Sequence, residues 1–460
     1  MGSLLDLLTD AAARTAEYRG KVAEQPVFPS DVDLDAVRAS LGSLPDGPTP
    51  AAAVIEQLLG AVSSVLVATT GPRYFGFVVG GALDAATAAD MLTIGWDQPA
   101  FNPVTSPAAA VVEDVAGGWL KELLGLPADA SFGFVTGGQG ANTVSLAAAR
   151  HHVLAELGWD VEQSGLLGSP PVRVVANAER HATIDRSLRL LGLGTGALEP
   201  VATDAQGAID VAHLARVLAR GAKGPTIVCL QAGNVNSGAF DDFAVASAVA
   251  HDHGAWVHVD GAFGLWAAAS PATRHLTAGI ESADSWATDG HKWLNVPYDV
   301  GYAFCAHPRA HAAAMSFSAA YLTGQGQGGL RSPGDYVPES SRRARGFATW
   351  AALRELGRSG VAELVERCCA LARRFAVQLG ASGCAAIAND VVLNQVLVGF
   401  GDDERTDRVI EAVQRSGECW VGGTTWHGQR LMRISVSSWR TTEADVDRSV
   451  AAILAAAEDR

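Results

Sequence analysis

The chain has few side chains that carry a primary amine, and one of them lies in a context suited to catalysis. Only four of its 460 residues are lysine: Lys21, Lys121, Lys223 and Lys292. Lys292 stands in the segment Asp289-Gly-His-Lys-Trp293, directly after a strand candidate. Partial burial in an apolar neighbourhood lowers the pKa of a lysine and makes its amine a nucleophile for imine formation. Lys292 is therefore the candidate nucleophile; the alternative is a surface lysine whose stem covers apolar residues.

A carboxylate ends another apolar segment. The residues Ala255-Trp-Val-His-Val-Asp260 predict a buried strand, and Asp260 stands at its carboxyl end. Open α/β sheets bind their ligands at this end of the strands. A buried carboxylate is costly unless it is paired. Asp260 is therefore a candidate ligand-binding residue; the alternative is a helix cap for the segment that follows.

Three glycines lie in the turn Thr136-Gly-Gly-Gln-Gly-Ala-Asn142, between a strand candidate and a helical segment. Glycines let the backbone approach an anion, and a helix N-terminus presents free N–H groups to it. The turn is not a Walker loop, because no Gly-Lys-Ser/Thr follows, and its spacing differs from the dinucleotide fingerprint. It is a candidate phosphate site; the alternative is a tight strand–helix turn without a ligand.

His181 lies in Glu179-Arg-His-Ala-Thr-Ile-Asp185, which follows a strand candidate and opens a helix. A histidine in this position can be structural or functional, and both interpretations stay open. Other histidines have no matching set of ligands around them, so we predict no metal site: His151, His152, His251 and His253.

In chain order, these motifs are a glycine turn, a histidine, a strand-terminal aspartate and a lysine. Pyridoxal 5'-phosphate needs such a set. A helix N-terminus holds its phosphate, a ring covers one face of the pyridine, a carboxylate keeps the ring nitrogen protonated, and a lysine holds it as a Schiff base. The order and spacing therefore predict pyridoxal phosphate as the cofactor.

The elements that must position these residues alternate regularly from about residue 130. Apolar strand candidates followed by helices predict an α/β protein with a mostly parallel sheet covered on both faces. The candidates are 132–136, 172–176, 226–230, 255–260, 284–288 and 300–305.

Three segments are expected: an N-terminal helical segment (1–105), a large cofactor-binding domain (106–355) and a smaller C-terminal α+β domain (356–460). The last contains strand candidates at 391–399 and 431–437. A stretch rich in Gly, Pro and Ser at 322–341 predicts a long loop, either a lid or disordered.

Composition excludes several classes of function. A net charge of −15 argues against binding to nucleic acid or to an anionic membrane. No apolar run reaches the roughly 18 residues of a membrane span, and the N-terminus has no basic region typical of a secretory signal. Six cysteines without a CxxC pair fit reduced thiols, so we predict a cytoplasmic protein.

With these motifs in place, the chain resembles the group II pyridoxal-phosphate decarboxylases, which act on aromatic amino acids, glutamate and related substrates. The resemblance implies the aspartate aminotransferase fold (fold type I). It covers about 70–440 and rests on these segments: Pro72–Gly76, Ser106-Pro107 with Glu113, Leu124–Pro127, the glycine turn, His181, His258–Gly264, His291–Leu294 with Pro297 and Asp299, and Ser341–Arg343.

The resemblance also implies residue roles. Lys292 is the Schiff-base lysine, Asp260 is the partner of the pyridine nitrogen, and Ala262 and His181 lie on the two faces of the ring. Asn234 occupies a position where relatives usually carry Thr. The family's site forms between two subunits, which implies a homodimer with shared active sites. The residues implied near the phosphate are Gly138, Gln139, Asp289 and His291.

Three departures from the family pattern are visible. The glycine turn usually reads Gly-Gly-Thr-Glu-Ala-Asn, whereas Gln139-Gly140 replace Thr-Glu here, which leaves the side-chain contact to phosphate open. His291 follows Gly290, where Pro or Ala is commoner. Many relatives carry a loop tyrosine that protonates the substrate carbon, whereas Gly329-Leu-Arg-Ser332 stands at the expected place here. The tyrosines in reach are Tyr336, only seven residues before Arg343, and Tyr321.

We therefore predict decarboxylation of an L-amino acid to the amine and CO2. Other outcomes at the same cofactor stay open: decarboxylation coupled to oxidative deamination, aminotransfer or carbon–carbon lysis. A scaffold that binds the cofactor without catalysis is a further alternative. The substrate is not evident, since four aromatic residues could line its pocket or belong to the core or a dimer contact: Tyr74, Phe75, Trp96 and Phe101.

Overall fold

The computed structural model of the protein describes residues 3–30, 32–220, 224–317 and 329–458. The chain forms two compact units. The first comprises Met1–Val79, Arg374–Ala388 and Leu397–Arg460, and the second comprises Gly80–Arg373 and Asn389–Val396. The three-part division expected from the sequence stays a prediction beside this one.

The second unit is built on a seven-stranded sheet with the order β1-β7-β6-β5-β4-β2-β3. Pairings of β7 with β1 and β6 are antiparallel, and the other pairings are parallel. The predicted α/β class with a mostly parallel sheet is confirmed. The strands are β1 Ser131–Val135, β2 Arg173–Asn177, β3 Leu198–Val201, β4 Thr226–Gln231, β5 Trp256–Asp260, β6 Ser285–Asp289 and β7 Gly301–Cys305.

The strands of this sheet are buried because their sequences are apolar on both faces. Every residue of β1, β4, β5, β6 and β7 is buried, as expected for strands covered by helices on both sides. The edge strand β3 differs, with Glu199 and Pro200 exposed. Proline is tolerated at a sheet edge because it cannot donate to a further strand.

Helices connect and cover the strands. Within the described residues, none is both long and apolar enough to cross a bilayer. The α-helices are α1 Leu4–Lys21, α2 Leu34–Leu41, α3 Ala51–Val62, α4 Asp84–Trp96, α5 Pro107–Leu124, α6 Gly138–Ala155, α7 Val161–Ser164, α8 Ala182–Leu190, α9 Val211–Arg220, α10 Phe243–Asp252, α11 Pro308–Met315, α12 Gly346–Ala381, α13 Asp403–Ser416 and α14 Glu443–Glu458.

The helix α6 forms the centre of the core on one face of the sheet. Its buried residues Leu146, Ala149 and Val153 belong to one apolar cluster with Ile227 of β4 and Trp256 of β5. Burial of each large apolar side chain contributes about 1.5–3 kcal/mol. This packing fixes the start of α6 against the carboxyl ends of the strands.

A second, four-stranded sheet has the order β10-β11-β9-β8, and all its residues except Gln395 and Val396 belong to the first unit. Two of these strands overlap the strands predicted at 391–399 and 431–437, whereas the short strand β8 and the strand β10 were not predicted. The bounds are β8 Ala386–Ile387, β9 Gln395–Gly399, β10 Gly422–Trp426 and β11 Gln429–Ser435.

Candidate active site

The carboxyl ends of β1, β5 and β6 meet at one edge of the sheet, since these strands run in the same direction. Two of them, β5 and β6, end in a buried carboxylate, Asp260 and Asp289. The glycine turn follows β1 and opens α6. The fold therefore brings the motifs singled out in the sequence to a common edge, where α/β sheets bind ligands.

Asp289 is the centre of the first cluster at this edge. Its Oδ2 lies 2.9 Å from Nζ of Lys292, and its Oδ1 lies 3.4 Å from Nε2 of His291. The backbone N–H of Gly138 donates to the same Oδ1. The structure thus joins four of the predicted residues, and burial, the largest cause, lowers the pKa of His291.

Glycine is required at Gly138 by the close approach of Asp289. A Cβ there would lie 2.7 Å from Asp289 Oδ2, closer than real Cβ atoms come to any neighbour. Gly137, the N-cap of α6, provides no side-chain hydrogen bond to the first turn of the helix. The first turn of the helix therefore has no side-chain cap; the backbone N–H of Gly138 donates to Asp289. Helix N-termini bind anions through such backbone N–H groups.

The backbone of Lys292 is held from the other side by Gly80. A Cβ at Gly80 would lie 1.8 Å from the carbonyl oxygen of Lys292, so only glycine fits. Asn295, three residues after the lysine, donates from Nδ2 to the carbonyl of Trp293 at 2.7 Å. These contacts fix the segment, while the side chain of Lys292 stays 21% exposed and within reach of a ligand.

Asp260 ends a chain of hydrogen bonds that all run in one direction. Trp256 donates to Ser285 Oγ at 3.0 Å, and Ser285 lies 3.0 Å from Nδ1 of His258. His258 Nε2 lies 2.9 Å from Asn142 Oδ1. Asn142 Nδ2 then donates to Asp260 Oδ2 at 3.1 Å. Each group in this relay can donate to the next, with the carboxylate of Asp260 as the last acceptor.

Burial determines the state of His258 in this relay. The side chain is wholly buried, and desolvation lowers the pKa of His258 to about 4. The ring is therefore neutral near pH 7, with its proton assigned to Nε2 because Asn142 offers an oxygen there. The backbone N–H of Ala262 also donates to Asp260, at 3.2 Å. Asp260 accepts each of these hydrogen bonds, as an ionised carboxylate does.

His181 is the N-cap of α8 and reaches Asp260 through Thr183. Its Nδ1 accepts from the backbone N–H of Thr183 at 3.3 Å and lies 2.9 Å from the hydroxyl of that residue. The hydroxyl of Thr183 lies 3.4 Å from Asp260 Oδ2. His181 itself is exposed, so a planar ligand can approach its ring.

Two further predicted residues act through the backbone around the site. Asn234 is fully buried, and its Nδ2 donates at 3.3 Å to the carbonyl of Glu179, two residues before His181. The carbonyl of Ala262 accepts from the backbone N–H of Asp289 at 3.0 Å. Asn234 thus supports the His181 segment, and Ala262 links the two carboxylates.

The side chain of Gln139 is directed to α8 and away from the Asp289 cluster. Its Nε2 donates to Ser187 Oγ at 2.9 Å and to Thr143 Oγ1 at 3.2 Å. Contact between Gln139 and a ligand at the start of α6 therefore rests on its backbone in this structure.

Sequence reasoning missed three polar residues at this edge: Asn142, Thr183 and Gln231. Gln231 is 5% exposed, ends β4 and pairs in register with Asp260, so both side chains project from the same face of the sheet. Its Nε2 has no hydrogen-bond partner among the described residues. A polar residue at the end of an apolar strand was the signal available, and a buried amide without a partner awaits an acceptor.

Of the two candidate tyrosines for proton transfer, the structure describes only Tyr336. Tyr321 lies outside the described residues. Tyr336 ends a short 3₁₀ helix, Pro333–Tyr336, and its ring lies 4.4 Å from the guanidinium of Arg331 and 5.1 Å from the ring of His311. Arg331 donates to the carbonyl of Phe132 on the edge strand β1. Tyr336 is thus packed beside the first half of β1.

The residues present fit the predicted pyridoxal phosphate. The N-terminus of α6, which no side chain caps, suits its phosphate, the amine of Lys292 suits its carbonyl carbon, and the acceptor Asp260 suits its pyridine nitrogen. The buried amide of Gln231 offers a donor to a further acceptor. No group of three or more His, Cys, Asp or Glu side chains in the described part of the chain could hold a metal ion.

Comparison with known proteins shows the family to which this chain belongs. The family model "Pyridoxal-dependent decarboxylase conserved domain" matches residues 38–400. Tryptophan decarboxylase 1 of Oryza sativa subsp. japonica is 26% identical over 92% of this chain and 87% of its own length. The 4-hydroxyphenylacetaldehyde synthase of Rhodiola rosea is 26% identical over 88% of this chain and 86% of its own.

A solved structure has the same fold. The crystal structure of Oryza sativa TDC with PLP and tryptamine superposes with a TM-score of 0.91 and 23% identity, covering 99% of this chain and 97% of that one. The fold type I architecture and the cofactor expected from the resemblance are confirmed. The chain belongs to the pyridoxal-dependent decarboxylase family, and is a pyridoxal-phosphate-dependent amino acid decarboxylase.

Proposed function

We propose that this enzyme removes the α-carboxylate of an L-amino acid and releases the amine and CO2, with Lys292 binding the cofactor covalently. The observation that carries the proposal is the presence of two groups at one sheet edge. The amine of Lys292 lies 2.9 Å from Asp289, and Asp260 accepts hydrogen bonds from Asn142 and Thr183. A nucleophilic amine and a buried anion are what the chemistry requires.

The bound cofactor supplies a ring that withdraws electrons from the substrate carbon as the carboxylate leaves. Asp260 holds a proton on the ring nitrogen, because a buried carboxylate favours a cation beside it. The relay through His258 and Asn142 keeps Asp260 oriented toward that proton. Before the cofactor binds, Asp289 holds the amine of Lys292 in position at a distance of 2.9 Å.

The remaining predicted residues bind and orient the cofactor in this proposal. His181 covers one face of the ring, and Ala262 the other. The start of α6, at Gly138 and the backbone of Gln139, binds the phosphate together with His291. Asn234 supports the His181 segment through Glu179.

We propose an aromatic L-amino acid as the substrate. The proposal rests on relatives whose names refer to tryptophan and to 4-hydroxyphenylacetaldehyde. Two of the aromatic residues singled out in the sequence lie in the second unit: Trp96 is 50% exposed at the end of α4, and Phe101 is buried.

A second candidate function is decarboxylation coupled to oxidative deamination, which yields an aldehyde. Two observations favour it as the alternative. One relative is named as an aldehyde synthase. The ring of Tyr336, a predicted proton donor, packs against Arg331 and His311 instead of standing free for proton transfer.

A panel of L-amino acids distinguishes the two functions when CO2, amine, aldehyde and oxygen uptake are all measured. For tryptophan, tyrosine or phenylalanine we expect equal amounts of amine and CO2 and no oxygen uptake. Aldehyde with oxygen uptake would establish the second function, and no CO2 from any member would reject both.

The variant Tyr336→Phe tests whether Tyr336 is the proton donor. Loss of amine with continued CO2 release assigns proton delivery to Tyr336, whereas unchanged amine formation shows that Tyr336 is not the donor.

We further propose that two copies of the chain form a homodimer with shared active sites. The helix α4 exposes Met91, Leu92, Ile94 and Trp96, with Ile94 65% exposed, and α1 exposes Leu4, Leu5 and Leu8. Exposed apolar side chains concentrated on one helix are typical of interfaces. Light scattering after size-exclusion chromatography should give twice the chain mass of 47.6 kDa; a fully active protein of single-chain mass would contradict the proposal.

We propose the cytoplasm as the location of the enzyme. All six cysteines are unpaired, and five of them are buried. Unpaired thiols in this number are typical of a reducing compartment.

A further inference from the structure

Asp241 is a buried carboxylate that the proposed chemistry does not use. It precedes α10, is 4% exposed, and lies between the carboxyl ends of β2 and β4. Its Oδ2 accepts from the backbone N–H of Gln231 at 2.7 Å. Its Oδ1 accepts from the backbone N–H of Ile209 at 2.7 Å and from Asn177 Nδ2 at 3.2 Å. All three partners are N–H donors.

These contacts tie together two neighbouring strands at the ligand-binding edge. Asn177 is the last residue of β2, and Gln231 is the last residue of β4. The backbone N–H of Asp241 donates in return to the carbonyl of Gln231 at 3.1 Å. Gln231 pairs in register with Asp260. Asp241 therefore lies one strand away from the carboxylate proposed for the ring nitrogen.

The same contacts continue into the segments that carry His181 and Asn234. Asn177 Oδ1 accepts from the backbone N–H of Glu179 at 2.7 Å. The carbonyl of Glu179 accepts from Asn234 Nδ2 at 3.3 Å. A continuous set of hydrogen bonds thus leads from Asp241 to the turn before His181.

We propose that Asp241 is a positioning residue whose ionised form holds the His181 and Asn234 segments in the geometry that binds the cofactor, and whose protonation loosens them. Protonation removes the negative charge to which the three N–H groups donate, so it weakens all three hydrogen bonds. This inference rests on the cofactor-binding roles proposed for those segments. It makes cofactor affinity depend on pH through a group that touches neither cofactor nor substrate.

The surroundings support a change of charge near neutral pH. Burial, the largest cause, raises the pKa of Asp241 to about 7, against the three hydrogen bonds, which lower it. Asp204, on the turn after β3, raises it further. Other charged groups lie on the adjoining segments: Arg180 pairs with Asp185 at 2.8 Å, Asp210 pairs with Arg216 at 3.9 Å, Asp242 caps α10, and Glu179 follows β2.

Stability and local order depend on pH in opposite directions, which distinguishes a positioning role of Asp241 from a purely stabilising one. Because the pKa of Asp241 is raised in the folded state, the folded protein retains a proton between about pH 4 and 7 that the unfolded chain has lost. The contribution of Asp241 to stability is therefore largest at acidic pH and is lost as the pH rises through 7. The His181 and Asn234 segments are instead expected to become better ordered as the pH rises through 7. The reason is that the three hydrogen bonds to Asp241 reach full strength only above that pH.

The test measures the affinity of the apoenzyme for pyridoxal phosphate from pH 6 to 8.5, with the wild type, Asp241→Asn and Asp242→Asn. The last is a matched control, since Asp242 is the adjacent residue and asparagine caps helices as well as aspartate does. Loss of a hydrogen bond to a charged group lowers affinity by about tenfold. We expect wild type and control to gain about that factor between pH 6 and 8, and Asp241→Asn to stay at the weaker value throughout.

The proposal would be overturned if Asp241→Asn showed the same increase in cofactor affinity between pH 6 and 8 as the wild type. Should that variant fail to fold, hydrogen exchange in the wild-type holoenzyme gives the answer. The amides of Ile209 and Gln231 should gain protection relative to a strand amide such as Val259 as the pH rises through 7, after correction for intrinsic rates. Unchanged relative protection would equally reject the proposal. Both readouts report cofactor binding or local order, so failure of the decarboxylase assignment would leave them intact.

Discussion

Replacement of Lys292 by alanine is expected to lower the rate of CO2 release by at least about 1,000-fold, because no other amine in the described site can replace its nucleophile. The side chain lies 2.9 Å from Asp289 and is only partly exposed. Borohydride treatment of the wild type should fix the cofactor to the protein, and peptide mapping should find it on Lys292. The variant should bind cofactor only reversibly.

Lys21→Ala is the matched control for this experiment. Lys21 is an exposed lysine on α1 that pairs with Glu17 at 2.7 Å, four residues before it. Exposed pairs of this kind contribute little to stability, so the control should retain full activity. Mapping of the adduct to Lys21, Lys121 or Lys223 would refute the assignment of Lys292.

Asp260→Ala and Asp260→Asn are expected to lower turnover by a factor of about 100 or more, because a neutral neighbour no longer keeps the ring nitrogen protonated. The two variants should behave alike, since asparagine restores shape without charge. Cofactor binding should remain measurable in both, because Lys292 and the start of α6 lie on other elements. Steady-state turnover and the visible absorption of bound cofactor are the two measurements.

Asp185→Asn provides the comparison for the loss of charge near the site. Asp185 lies on α8, one turn after His181, and pairs with Arg180 at 2.8 Å without contact to Asp260. Removal of this charge should change turnover by less than about twofold. Near-normal turnover in either Asp260 variant would show that the carboxylate does not control the ring nitrogen.

The fold class followed from the sequence because the central parallel strands consist mostly of apolar residues. The strands β4 and β5 were predicted within one residue of their bounds, and each is buried throughout. The strand β3 was missed because Leu198–Val201 is a short edge strand with two exposed residues, one of them proline. Edge strands satisfy fewer packing constraints, so their sequences carry a weaker pattern.

The roles proposed for Lys292 and Asp260 follow from residue type and position, since a lysine beside His and Trp and a carboxylate after an apolar strand are both unusual. The environment of Asp260 was not evident. Asn142 and His258 are 116 residues apart in the chain and meet only because α6 packs over β5. The direction of the relay, and hence the acceptor role of Asp260, depends on that packing.

The sequence by itself determined the α/β class, the cofactor and the order of the reactive residues, because periodicity and residue type act locally along the chain. Only the tertiary structure decided which side chains face the cofactor edge and which turn away. Gln139, in the middle of the glycine turn, bonds Ser187 on α8, whereas Gln231, outside every motif, lies buried in register with Asp260. The physical reason is that residues distant in the chain surround each of these side chains: Ser187 lies 48 residues from Gln139, and Asp260, the register neighbour of Gln231, lies 29 residues from it.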